Sequence, residues 1–300
     1  MRRPAPLLSV TVLVCTVLPL IACGPDGPLP GPGAAPGDAV PAGASARAEA
    51  YRRLAAAPEA TASAGSARTT MVATISGVPG HPNGPTVAGH GQVDFAARRS
   101  HSTLDLSGLF PDGDVAAGDR SIETILDGGR HYVRSPILTS LVGVATPWMS
   151  IDPAAAPHAG PAAALGQLGQ LPGGESTAPL AILAGVREGS VRTLGQEQVG
   201  GETTSHLAAT VDLRAALERA GALIDPGQFE EFADRLGAAV LDVEAHLDGL
   251  GRLRRLAFEH SLPGGGAQRS ELEYSDFGAP VEIAVPPDDE VTDVAEVLAR

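Results

Sequence analysis

Residues 241–248, Leu241-Asp242-Val243-Glu244-Ala245-His246-Leu247-Asp248, alternate apolar and polar side chains without a break. Successive side chains of a strand point to opposite faces, so this stretch reads as a β-strand with one buried and one wet face. Asp248-Gly249 supplies a turn, Leu253–His260 returns, and Gly264-Gly265-Gly266 turns the chain again before Leu272 and Tyr274 carry the alternation on. Strands linked by such short turns form an antiparallel meander. Val281, Ile283 and Val285 predict a last strand ended by Pro286-Pro287, and Asp288 and Asp289 suit the start of a final helix.

The same period of two spreads upstream. Val191–Leu194 opens a second half of the sheet, and Thr203, Ser205, Leu207, Ala209 and Val211 share one face of a long strand. Asp212 is placed to cap a helix running through Arg219, and Asp225-Pro226 opens another that carries Phe229, Phe232 and Leu236. In the N-terminal half, Met71, Ala73 and Ile75 alternate, as do Val87, Gly89, Gly91, Val93 and Phe95, and then Leu104, Leu106, Gly108 and Phe110. Ile122–Leu126, Asp127-Gly128 and Arg130–Arg134 predict a hairpin. Helical spacing marks Ser45–Ala57, stopped by Pro58, and Ile137, Leu138, Leu141 and Val142. Pro147–Asp152 reads as a short extended segment holding the sole Trp, and helices are expected near Ala162–Leu171 and Pro179–Val186. The predicted fold class is α+β: one large curved antiparallel sheet with helices gathered on one face.

Ahead of this domain, Arg2 and Arg3 introduce an apolar run, Leu7–Ile21, that is too short to span a bilayer as a stable helix. It ends in Leu20-Ile21-Ala22-Cys23, which resembles the bacterial lipoprotein box; a secretory signal with a chance cysteine is the plainer alternative. The box implies cleavage before Cys23 and a diacylglyceryl anchor on its sulfur, and two acyl chains hold a protein stably at a membrane. The expected organisation is a signal peptide over 1–22, a lipidated Cys23 with a Pro/Gly/Ala-rich tether over 23–46, and a folded domain over 47–300.

Composition narrows the function. The chain is 43% apolar but 3% aromatic, so its core is aliphatic. Its net charge is −14, and no basic patch interrupts it, which argues against nucleic acid as a partner. There is no lysine, which removes Schiff-base chemistry, the P-loop and the kinase strand lysine. The two cysteines are Cys15, inside the signal, and Cys23, so no disulfide is expected in the domain. Asp276-Phe277-Gly278 mimics a kinase landmark by chance, and Gly89-x-Gly91 lies in a strand with no helix after it. These two glycines leave room for a neighbouring backbone or a ligand chain. His90, His206 and His246 share the polar side of strands, but no metal site, cofactor or catalytic residue is expected. Asp288-Asp289-Glu290 lacks calcium-loop spacing.

Tyr274-Ser275-Asp276-Phe277-Gly278-Ala279-Pro280-Val281-Glu282-Ile283-Ala284-Val285-Pro286-Pro287 resembles the end of the LppX/LprG-type lipoproteins of actinobacteria. Gly89-x-Gly91-x-Val93-Asp94-Phe95, Tyr132-Val133-Arg134, Pro147-Trp148 and Ile151-Asp152 agree in order and spacing. That resemblance, and through it one to the LolA/LolB-like lipoprotein carriers, implies an open half-barrel: a single strongly curved antiparallel sheet with helices on its concave face. It implies a cavity for lipid or acyl chains, transport of lipids or lipoglycans through the cell envelope, an unidentified envelope transporter as partner, and no enzyme activity. Candidate lining residues are Phe95, Leu104, Leu106, Leu138, Leu141, Phe229, Phe232 and Leu236. A ligand-free scaffold or sensor module of the envelope remains the other reading, and a hydrolase without a motif a third.

Overall fold

The computed structural model describes residues 42–77, 84–109, 116, 119–128, 130–151, 178–220, 239–262 and 266–298. They lie within one compact unit, Val40–Arg300. The first strands are β1 (Ser66–Ser76), β2 (Thr86–Asp94), β3 (Arg99–Asp105), β4 (Ser121–Asp127), β5 (Arg130–Arg134) and β6 (Trp148–Ile151). They form a meander in sequence order. A second meander holds β7 (Arg192–Val199), β8 (Glu202–Asp212), β9 (Val240–Leu247), β10 (Leu253–Ser261) and β11 (Ala267–Ser275). Pairing of β1 with β11 joins the two meanders, and β12 (Val291–Asp293) adds to β6, giving one open sheet whose edges are β12 and β7. The expected curved single sheet is therefore present. It is mixed and not purely antiparallel, because β12 runs parallel to β6.

Register explains the two faces. Leu207, Ala245, Leu256, Leu272, Met71, Gly89, Leu104 and Ile122 stand opposite one another across seven successive strand pairs. One residue along the strands, the corresponding row is His206, His246, Arg255, Glu273, Thr70, His90, Thr103, Glu123 and Arg134. A one-residue slip would exchange an aliphatic row for a charged one, so burial of the first row fixes every pairing at once.

Among the described residues five helices attach to this frame: α1 (Ala42–Ala62), α2 (Pro136–Val142), α3 (Ala178–Leu183), α4 (Leu213–Ala220) and α5 (Val294–Leu298). Helix α1 lies against β7, β9, β10 and α3, burying Ala50, Leu54 and Ala57. Its Arg53 guanidinium reaches the Ser205 hydroxyl on the aliphatic side of β8 at 3.3 Å. Asp212 caps α4 as expected, its carboxylate accepting from the Arg214 and Ala215 amides at 3.1 Å each. The Arg187 guanidinium beside it, with those amides, holds the Asp212 carboxyl below its ordinary range.

Several expectations are corrected. Pro58 does not stop α1, which continues to Ala62 with the proline inside it. Tertiary contacts hold the last turn: Thr61 is fully buried and bonded at both ends. Gly108 does not extend β3; Ser107–Leu109 form a 3-10 turn, where a Cβ on Gly108 would stand 2.0 Å from the Thr86 carbonyl oxygen. Val281, Ile283 and Val285 keep their alternation but join no ladder among the described residues. That segment is tied instead by the Gln92 amide, which donates to the Glu282 carbonyl. Asp293, not Asp288 or Asp289, caps the last helix, accepting from the Ala295 amide at 2.9 Å. The predicted helices near 162–171 and 226–236 fall outside the described residues.

Candidate functional site: the aliphatic face of the sheet

Among the predicted lining residues, Leu104, Leu106 and Leu138 are buried in one continuous aliphatic cluster, against which Phe95 packs. Two reach it from β3 and the turn after it, one from α2, and Phe95 follows β2 with its ring 6.4 Å from that of Tyr274. The backbone of Leu141 belongs to α2, while its side chain, with Phe229, Phe232 and Leu236, lies outside what is described, as does Cys23. The structure thus brings four of the eight together.

The two strand glycines serve the protein's own packing. A Cβ on Gly91 would stand 2.5 Å from the His101 carbonyl oxygen, and one on Gly89 2.5 Å from a methyl of Leu104. The space is filled by β3.

A feature that periodicity did not single out lies beside the aliphatic row. On the same side of the sheet, Thr69, Gly91, Ser102, Thr124, Val133 and Met149 are paired in register from β1 to β6. Thr69, Ser102 and Thr124 are buried, and the Ser102 hydroxyl has no hydrogen-bond partner among the described residues. The Ser135 hydroxyl at the start of α2 is also buried and unpartnered. Buried hydroxyls are nearly always bonded, so unpaired ones mark places able to receive a polar group. The sequence does carry a signal for these residues, hydroxyls on the aliphatic side of alternating strands, but single hydroxyls in strands are commonplace.

The opposite side is polar. Glu123 bonds both His101, at 2.8 Å, and Arg134, whose guanidinium lies over the Trp148 ring at 5.0 Å. A groove of about 660 Å³ runs over β8–β11, floored by Ala208 and Ala257 and rimmed by Arg192, Asp242, Glu244, Glu259 and Arg269. Its lining suits no acyl chain. Of the three histidines expected on the polar side of strands, His206 and His246 are paired, whereas His90 is on β2, with β1, β11 and β10 between.

An open sheet with a buried aliphatic face and helices laid on that face defines the class by fold. No protein-family model matches the sequence, and no curated protein matches it either. Solved structures similar to this one include the Mycobacterium tuberculosis lipoprotein LppX, at 13% identity and TM-score 0.44, covering 80% of this chain and 99% of that one. LprF from Mycobacterium bovis is similar at 15% identity and TM-score 0.42, covering 79% of this chain and 97% of LprF. A LolA superfamily protein from Nitrosomonas europaea is similar at 14% identity and TM-score 0.29, with 80% and 96% covered.

Proposed function

We propose that the protein is a membrane-anchored lipoprotein that binds lipid or acyl chains on the aliphatic face of its sheet and carries them within the cell envelope, without catalysing a reaction. The observation that supports this most is the pairing of two rows on one face: aliphatic residues through Leu104 and Leu256, and buried hydroxyls at Thr69, Ser102 and Thr124. An amphiphile has the same two parts. Each methylene withdrawn from water contributes about 0.8 kcal/mol, and a head-group oxygen meeting Ser102 removes an unsatisfied hydroxyl. Among the described residues no helix is long and apolar enough to cross a membrane. Attachment is assigned to Cys23, with the stretch from residue 24 up to the start of α1 at Ala42 as the spacer, shorter than the expected 24–46.

The test is uptake of a fluorescent fatty acid by the purified full chain. Saturable uptake, weakened at least tenfold by Leu104→Asn, is expected. A chain that takes up no probe, before or after delipidation, would favour the ligand-free scaffold. For the anchor, a Cys23→Ser variant is expected in the soluble fraction, and its retention at the membrane would remove Cys23 from the account.

A further inference from the structure

On the polar side of the sheet, three side chains from three adjacent strands converge: Glu197 of β7, His206 of β8 and His246 of β9. One donor atom from each lies within 4.8 Å of the other two. The Glu197 Oε2 is 3.5 Å from His246 Nε2 and 3.8 Å from His206 Nδ1. Donors held about 2.1 Å from a tetrahedral zinc ion stand about 3.4 Å apart, so these atoms are near ligand spacing. The imidazoles are stacked with centroids 4.2 Å apart and planes inclined by 16°, which sets the two rings side by side at the Glu197 carboxylate.

The remaining ring nitrogens are already engaged. His206 Nε2 is 3.1 Å from the Glu244 carboxylate, which only accepts, so the proton of a neutral His206 sits on Nε2 and leaves Nδ1 with a free lone pair. The Thr204 hydroxyl donates to the Glu197 carbonyl at 2.8 Å, so toward His246 Nδ1, at 3.4 Å, it offers only a lone pair. His246 Nε2 faces the Glu197 carboxylate at 3.5 Å, and a metal ion between them would take the Nε2 lone pair and leave the ring proton on Nδ1, toward Thr204. Two imidazole nitrogens and a carboxylate gathered within 4.8 Å, each ring held from behind by an oxygen, resemble the arrangement in which outer partners hold metal-ligating histidines.

Charge and access agree. The cationic side chain opposite His246 in register is Arg255, and it is taken up by Glu271 at 3.3 Å and Glu273 at 2.6 Å. His246 is almost fully buried, while the Glu197 side chain is 52% exposed, so an ion has a rigid floor and an open entrance. We infer that Glu197, His206 and His246 bind one divalent transition-metal ion of the zinc class, with Glu244 and Thr204 orienting the rings and a fourth coordination position open. Two imidazoles and one carboxylate suit zinc over calcium or magnesium, which take oxygen ligands. The site is distinct from the lipid-binding face, on the other side of the sheet, and Glu244 also rims the groove over β8–β11. Sequence reading expected no metal here; Glu197 escapes it because β7 is exposed at seven consecutive positions and shows no alternation.

The test is titration of the chelator-treated full chain with zinc chloride against a chromogenic competitor, repeated with cobalt(II) for its visible spectrum. One equivalent should bind, with a four-coordinate cobalt band. His206→Ala and His246→Ala should each weaken binding at least 100-fold, Glu197→Gln and Glu244→Gln about 10- to 100-fold. His90→Ala, on the same polar row, should leave it unchanged. Should His246→Ala fail to fold, Glu197→Gln on the exposed edge strand decides. Absence of binding by the native chain, or binding that Glu197→Gln and His206→Ala leave untouched, overturns the site.

Discussion

The Leu253 amide donates to the Thr61 hydroxyl at 2.8 Å, and that hydroxyl donates in turn to the Ala57 carbonyl at 2.7 Å. One fully buried side chain thus closes the last turn of α1 and fastens it to the first residue of β10. Thr61→Val keeps the shape and removes both bonds, leaving a buried amide unsatisfied. The expected loss is about 1–3 kcal/mol in chemical denaturation, with Thr61→Ser close to the parent. If Thr61→Val is as stable as Thr61→Ser, the bond does not fasten the helix.

Gly91→Ala and Gly89→Ala separate two kinds of crowding. At Gly91 the new methyl meets the His101 carbonyl oxygen, which β3 holds in its ladder; at Gly89 its nearest neighbour is the end of the Leu104 side chain. Overpacking against backbone is expected to remove about 1–3 kcal/mol at Gly91 and less at Gly89. The order of the two melting temperatures checks this.

His260 has a buried Nδ1 without a hydrogen-bond partner among the described residues, and burial pushes its pKa below the ordinary histidine value. The unfolded chain then takes up a proton near pH 6.5 that the folded chain refuses. Its contribution to stability is therefore largest above that pH and falls as the pH drops from 6.5 toward the folded pKa. An NMR titration should place the His260 midpoint below 6.5, and His260→Gln should flatten the fall in stability between pH 7 and pH 5. A midpoint at or above 6.5 contradicts the burial.

The strands β9 and β11 were legible because buried and more exposed positions alternate over most of their length, which is what a period of two records; Leu241–Ala245 is the plainest case. Burial also explains the errors. Val281–Val285 alternate because they pack by one face, yet alternation alone does not place a segment in a ladder. Pro58 overruled its local rule because Thr61, only three residues on, has a tertiary partner. The three residues of β12 are too few to carry a period, and their parallel pairing with β6 follows from where the chain returns. Leu104 and Leu106 were legible from their alternation and Leu138 from its helical spacing, and all three join one buried cluster. The cluster proposed as a metal site was not: His206 and His246 are opposite in register, but Glu197 joins them only as a diagonal neighbour from β7.

The lipid-binding proposal stands or falls on what the protein holds. Mass spectrometry of the full chain carrying Cys23→Ser, which removes any covalent lipid, compares the mass under native and denaturing conditions. A native mass in excess by one lipid, lost on denaturation and diminished in Leu104→Asn, is the predicted result. Identical masses under both conditions, for protein prepared with and without added lipid, would contradict the account.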